Sequence, residues 1–525
     1  MSQQLSLLDL GSDIIESEVI PHLSPEDIQS LKLTSKSLNE LVARSSVVWH
    51  ELYKKTFGTK PTAFSLNKWP DLYSLRAKGK LYTWGAMSSG RLGLSSQDVP
   101  ANNIDRQGFS AGVVKPTQVP GIDDVLADVS AGGFSFQILT GKGEIYSTGS
   151  YHAGHSSGPG PNESDHNEFQ EQMRLQEQIF ITPIRRGGRV INPLVGMPLG
   201  NPRRVPISEP QPMPGAFPSS PYQIPEQVEV ENKSKIENRF LKRETSGNLD
   251  DTKFVSVSSG RSHFIALDTS GNLWSWDGGE YGVKIRFEDK NGINLIQNGH
   301  VVLKAAAGWS SSVAYIYNYG LVYWKQRDPL KKDDTDARAH HRLIPKTGDI
   351  KGSERVVDFF AGDEFIIYVT AEGKVYRNDM IGEESILLEK FHNHLKLNAN
   401  SLAPKFTSLS GNFNHFAVFS NEDIVLIGSK NSDEPEIIEE LQHKECISLA
   451  VGDYHFLALL KDGTVLSWGL ESNSCGCLGL GKEEPNFIWE NNSRRVRKPT
   501  KIDVEGKVVA IAAAGWQSSA IISDV

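Results

Sequence analysis

Three histidines invite a chemical reading first. His263, His415 and His455 each stand immediately before a phenylalanine, Phe264, Phe416 and Phe456. Brought together, three imidazoles make a metal site or a general base. Each, however, occupies the same point of a repeated strand pattern, which spreads the three around a structure and predicts hydrogen-bonded structural roles. The cysteines are Cys446, Cys475 and Cys477. Cys475-Gly476-Cys477 has no second Cys or His pair at ligand spacing, so it falls short of a tetrahedral zinc site and reads as structural. There is no Walker-type phosphate loop, no H-E-x-x-H and no G-x-S-x-G, and Glu483-Glu484 is surface-like. The expectation is a non-catalytic chain with no metal and no cofactor.

These residues are carried by a repeat. VGDYHFLALLKDGTVLSWG, from Val451, is an apolar strand, a Lys461-Asp462-Gly463 turn and a second strand ending at Trp468-Gly469. The design returns from Ser130, Ser258, Ala306, Phe360 and Leu409, which makes six copies. Alternating apolar residues around a short Gly, Asn or Asp turn are what a hairpin requires. The preceding glycines, Gly132, Gly260, Gly308, Gly362, Gly411 and Gly452, recur after 128, 48, 54, 49 and 41 residues. Apart from one long gap the period is about 50, in the range of propeller blades.

Two half-copies sit at the ends. GKLYTWG, Gly79 to Gly85, is a second strand without a first, and AAAGWQSSAII, Ala512 to Ile522, is a first strand without a second. If they pair, the six copies become seven blades and the ring closes, leaving only short, protected strand edges. The fold class expected is mainly β, a seven-bladed β-propeller.

Composition sets outer bounds. Of 525 residues, 23% are charged and 38% apolar, and the net charge of −9 argues against bulk attraction to nucleic acid or to an anionic membrane. No apolar run has the ~18 residues of a membrane span, and the N-terminus lacks a basic segment before an apolar core. Three cysteines in so long a chain fit a reducing compartment. A soluble protein of cytoplasm or nucleus is expected.

The first 78 residues differ from the rest. Leu10, Ile14, Ile15, Val19, Ile20 and Leu23, then Ile28, Leu31, Leu33, Leu38, Leu41 and Val42, recur at helical spacing. Ser24-Pro25-Glu26-Asp27 is a helix start, with an N-cap serine, proline at the first helical position and acids in the first turn. Ser35 opens a third helix. So small a helical core is marginal unless it docks on something. Trp69, Leu72, Tyr73 and Leu75 predict another short helix in a stiff connector.

LDLGSDIIESEVIPHLSPEDIQSLKLTSKSLNELVARSSVVW, Leu8 to Trp49, resembles the F-box, with HLSPEDIQSLKLTSKSLNEL its most specific part. That resemblance implies binding to a Skp-type adaptor, with Leu10, Ile14, Ile15, Val19, Ile20, Leu23, Pro25, Leu31 and Leu33 as contacts or their immediate support. A generic helical hairpin capping the propeller is the structural alternative.

The propeller region is similar to regulator-of-chromosome-condensation (RCC-type) repeats. The motifs are Gly90-Arg91-Leu92-Gly93-Leu94 after Tyr82-Thr83-Trp84-Gly85, then Lys115-Pro116-Thr117, and Cys477-Leu478-Gly479-Leu480-Gly481 followed by Lys498-Pro499-Thr500. The middle repeats are degenerate. Residues 151–250 hold 13 of the 26 prolines and read as a disordered insertion, from which the Arg185 to Arg204 region is the candidate for a partner contact. Arg494-Arg495-Val496-Arg497-Lys498 matches a nuclear-signal composition but reads as a solvated loop.

The domains expected are therefore an F-box over 1–50, a helical connector over 51–78, and the propeller over 79–525 with its insertion at about 151–250. The combination resembles fungal SCF-associated F-box proteins with RCC-type repeats. It implies a non-catalytic substrate receptor of an SCF-type cullin-RING ubiquitin ligase, joined through the Skp adaptor to cullin and RING protein and holding a protein substrate for degradation. The alternatives are guanine-nucleotide exchange on a small GTPase, or a scaffold outside any ligase. No residue is assigned to the substrate from sequence.

Overall fold

The computed structural model describes residues 10–58, 69–149, 184–191, 240–245 and 252–524, apart from short interior gaps. Residues 164–238 separate from the remainder, and what is described of them is one antiparallel hairpin, Ile184–Arg186 with Arg189–Ile191. The rest of the proposed Arg185 to Arg204 contact region lies outside the described residues. No helix among the described residues is long and apolar enough to cross a membrane.

Seven radial sheets form a ring, each an antiparallel run of inner, second, third and outer strands. Blade 1 closes it. Its inner and second strands, Lys507–Ala514 and Gln517–Ser523, come from the C-terminal region, and its third and outer strands, Lys80–Ala86 and Ser110–Gln118, from the N-terminal region. The junction pairs Lys80 with Ile522, Leu81 with Ile521, Thr83 with Ser519 and Gly85 with Gln517. The expected pairing is thus present, with one difference. Ala512 to Ile522 is not a single strand but the end of an inner strand, a tight turn and a second strand. Each repeat likewise contributes an inner strand that hairpin reasoning passed over.

Blades 2 to 7 follow in order, with inner strands Leu126–Ala131, Phe254–Ser259, Val302–Ala307, Val356–Ala361, Phe406–Asn412 and Cys446–Val451. In blade 2 the third strand, Ile145–Ser147, pairs with the outer strand Leu241–Lys242, so the proline-rich stretch falls in sequence between two paired strands of one blade. The cores lie between blades, where Leu139 and Ile145 of blade 2 cluster with Phe254, Ala266 and Trp274 of blade 3, and cross-strand ring pairs stiffen each blade: Phe264 stacks on Trp276 at 4.5 Å and Phe456 on Trp468 at 5.2 Å.

The recurring glycines earn their place through the neighbouring blade. A Cβ on Gly260 would stand 2.3 Å from the Gly308 carbonyl oxygen, and one on Gly308 2.6 Å from that of Gly362. Only glycine permits so close an approach between turns. Backbone bonds then run from turn to turn: Gly133 N–H to the Arg261 carbonyl, Arg261 to Trp309, Trp309 to Gly362, Asp363 to Phe413 and Asp453 to Gly515.

Ahead of the ring, residues 12–22 form an irregular helical turn with a π segment, Ile15–Val19, and a 3-10 segment, Ile20–His22. Helices α1 (Pro25–Thr34), α2 (Lys36–Arg44), α3 (Ser46–Phe57) and α4 (Trp69–Ala77) follow. Ser35 caps α2 by accepting from Leu38 N–H, and Ser45 caps α3 by accepting from Val48 N–H while donating to Glu16 at 2.7 Å. Helix α3 runs through residue 50: Val48 and Leu52 pack in the helical core, whereas Tyr53 and Phe57 pack in the core of the closing blades. A fifth helix, α5 (Glu389–Asn398), lies between blades 5 and 6 and buries Phe391 against Phe416.

Two candidate binding surfaces

The helical domain sits on a defined face of the ring. Arg76 of α4, buried, donates through Nη2 to the Ala127 carbonyl at 2.8 Å, at the start of the inner strand of blade 2, and its guanidinium lies 5.1 Å from the Phe57 ring. Thr56 approaches Gly141, in the turn between the second and third strands of that blade. Ser523 donates to the Leu75 carbonyl at 2.7 Å. The helices therefore occupy the face where inner strands begin. The turns after the inner strands, and the strand ends at Ser147 and Leu241, lie on the opposite face.

The proposed adaptor contacts fall into distinct environments. Ile15 and Ile20 are 2% and 1% exposed and belong to the core of the helical domain, beside Ile28, Leu38, Val42, Val48 and Leu52. Val19, Leu23 and Leu31 are half-buried, and Leu23 and Leu31 pack on that core. Leu10, Ile14 and Leu33 are 41%, 44% and 80% exposed, and Val47, which sequence reasoning did not single out, is also exposed. Pro25 opens α1. The group is thus a supporting core plus an apolar outer surface, of the sort that packs between helices of a partner.

The opposite mouth is rimmed by the turns after the inner strands. Phe134, Trp309, Phe413, Tyr454 and Trp516 all lie on these turns, Trp309 against Phe413 at 4.3 Å and Tyr454 against Trp516 at 5.3 Å. Arg261 stands 5.9 Å from the Phe134 ring and 5.3 Å from that of Trp309. Arg91 is buried 4.9 Å from Phe134, and its guanidinium pKa is brought down to about 10 by burial. Burial pushes the Asp453 carboxyl up, against the pull of Arg261 and Arg91. Sequence reasoning missed this rim because each turn contributes one residue and no stretch of sequence contains it.

The three histidines do not converge. His263 Nε2 bonds Ser312 Oγ of the next blade at 3.0 Å, His455 Nε2 bonds Ser518 Oγ at 2.8 Å, and His415 meets the Phe456 ring edge-on at 5.3 Å. Burial lowers the pKa of all three, that of His455 to about 3. They are neutral ties between blades. Among the described residues no group of three or more His, Cys, Asp or Glu is arranged to hold a metal. The cysteines are free and buried, and burial pushes the Cys446 thiol up to about 12, which makes it a poor nucleophile.

The basic run is a strand rather than a loop, with Arg497 and Lys498 exposed as expected but Arg494 not. It lies on the outer strand of blade 7, Ser493–Lys501, where Arg494 is buried and pairs with Glu471 at 3.5 Å and with Asp105 of blade 1.

Comparison with known proteins agrees with this architecture. The Regulator of chromosome condensation (RCC1) repeat matches residues 254–276, 446–477 and 462–522. The chain is 32% identical to SCF-associated factor 1 of Saccharomyces cerevisiae over 98% of this chain and 97% of that protein. It is 27% identical to F-box protein pof9 of Schizosaccharomyces pombe over 51% of this chain and 57% of that one. Among solved structures, yeast RCC1 (Prp20) bound to Kap60 shares the fold, with a TM-score of 0.52 at 12% identity, covering 85% of this chain and 89% of that one.

Proposed function

Because the chain belongs to the family of SCF-associated factor 1, F-box proteins built on RCC1 repeats, we propose that it is the substrate-recognition subunit of an SCF-type cullin-RING ubiquitin ligase. The helical domain binds a Skp-type adaptor through Leu10, Ile14 and Leu33, supported from beneath by Ile15, Val19, Ile20, Leu23, Leu31 and the Pro25 helix start. The adaptor connects it to cullin and RING protein, and the propeller holds the protein to be ubiquitinated and degraded. The chain itself makes and breaks no bond. It contributes proximity, holding the substrate's lysines near the charged conjugating enzyme at high effective concentration.

The observation that carries this reading is the division of faces. The helices and their exposed leucines lie at one face of the ring, while the turn mouth on the other face stays clear of them. Arg76, Thr56 and Ser523 tie helices to blades, so the two surfaces keep a fixed separation. The experiment is a comparison of protein abundances in cells that lack the chain, carry it intact, or carry Leu33→Asp. Proteins that accumulate equally in the deleted and Leu33→Asp cells are the substrates expected. Identical abundances in all three would contradict the reading.

A further inference from the structure

The turn mouth has the composition of an interaction hot spot, with Trp, Tyr and Arg concentrated at the centre of a surface. Its charges are uneven. Glu364 on the rim pairs with Lys325 at 2.9 Å, and Asp363 with Lys430 at 2.9 Å, so these acids are answered within the fold. Asp453 faces two arginines, Arg91 and Arg261. Arg91 is buried and spends its donors on Ser88. Arg261 is exposed, and among the described residues its guanidinium makes no hydrogen bond or ion pair.

Arg261 is also held in place. Its N–H is fixed to the Trp309 carbonyl at 3.1 Å, and its guanidinium is flanked by Phe134 and Trp309. A guanidinium stacked on aromatic rings keeps its in-plane N–H donors directed outward, the geometry that takes a carboxylate or phosphate in a bidentate grip. Beyond the intervening Gly133–Phe134 turn, Tyr454, 55% exposed, and Trp516 offer an apolar contact on a backbone already locked turn to turn. Little ordering then remains to oppose binding.

We propose that this mouth grips a short acidic peptide segment of the protein ligand, Arg261 holding its carboxylate or phosphate and the Tyr454–Trp516 pair the apolar side chain beside it. The inference rests on the substrate-receptor reading above and adds the class of sequence recognised. A single-stranded nucleic acid, also anionic and able to stack, is the competing ligand. The chain's net charge of −9 and the paired acids of the rim disfavour an extended polyanion.

The test uses the full chain and short immobilised peptides with a central leucine flanked by glutamate, phosphoserine, serine or lysine. Intact protein is expected to retain glutamate or phosphoserine peptides about tenfold better than serine or lysine ones, the size of a charge-assisted hydrogen bond. Arg261→Glu abolishes that preference and Arg261→Lys retains part of it, with the melting temperature unchanged because the side chain is exposed. Equal retention of glutamate and phosphoserine makes a carboxylate sufficient, whereas retention of phosphoserine alone identifies phosphate as the ligand. Indifference to peptide charge, an unaltered Arg261→Glu, or displacement of the peptides by a single-stranded oligonucleotide would overturn the proposal. Adaptor recovery measured on the same samples separates the readings: its loss with the peptide preference intact would overturn the ligase reading and leave the mouth standing.

Discussion

Trp84 and Cys477 lie 393 residues apart in sequence, yet the indole N–H of Trp84 donates to the Cys477 carbonyl at 3.0 Å. The same carbonyl accepts from Ser518 Oγ at 2.9 Å, and that hydroxyl meets His455 at 2.8 Å. First blade, last blade and C-terminal strand are thereby joined through one oxygen.

Ring closure is expected to be all-or-none. Removing residues 507–525 deletes the two inner strands of blade 1 and leaves the edges of its N-terminal strands and of its neighbours open. The truncated protein should aggregate or lose its cooperative transition. Within the intact ring, Trp84→Phe removes one of two bonds to the Cys477 carbonyl and costs about 1 kcal/mol. Trp84→Ala opens a cavity and costs about 3–5 kcal/mol, read by denaturant midpoint.

The buried Arg494 gives a sharper case. It compensates Glu471, which is itself buried, and also holds Asp105 of blade 1. Arg494→Ala strands a buried carboxylate and should destabilise by about 3–5 kcal/mol, whereas the double change Arg494→Met with Glu471→Gln should recover much of the loss. A double-mutant cycle in denaturant measures both.

Acid should unfold the ring through its histidines. Burial holds His263, His415 and His455 below the ordinary imidazole pKa, so between their folded and unfolded values the unfolded chain binds more protons. The stability each contributes is complete above about pH 6.5 and is lost as pH falls toward the folded value, about 3 for His455. Each can lose up to ~1.4 kcal/mol per pH unit in that window. His455→Gln should flatten the slope of stability between pH 7 and 5, and an unchanged slope would show that this histidine is already protonated in the fold.

Much of this architecture was legible from Val451 to Gly469 and its copies, because second and third strands alternate strongly around glycine turns. The inner strands were not, since AIAAA in Lys507–Ala514 and the small residues of Val302–Ala307 give no period of two. Helix α5 escaped for a related reason: its buried side is essentially Phe391 and Leu395. Apolar spacing located the helical domain but could not divide Ile20, inside its core, from Leu33, outside it, because both are simply apolar in sequence. Arg494 read as solvated because its acidic partners lie at Asp105 and Glu471, contacts made only when blades 7 and 1 meet. The rim around Arg261 is dispersed over separate turns and becomes a surface only in the closed ring.

That division between Ile20 and Leu33 supplies the most direct test of the central claim. Full-length protein would be affinity-purified as intact chain and as Ile14→Asp with Leu33→Asp, two exposed positions whose change leaves the core untouched. A Skp-type adaptor and cullin are expected with the intact chain, both lost with the double variant, at an unchanged melting temperature. Equal recovery of adaptor by both forms, or a small GTPase in place of adaptor and cullin, would contradict it.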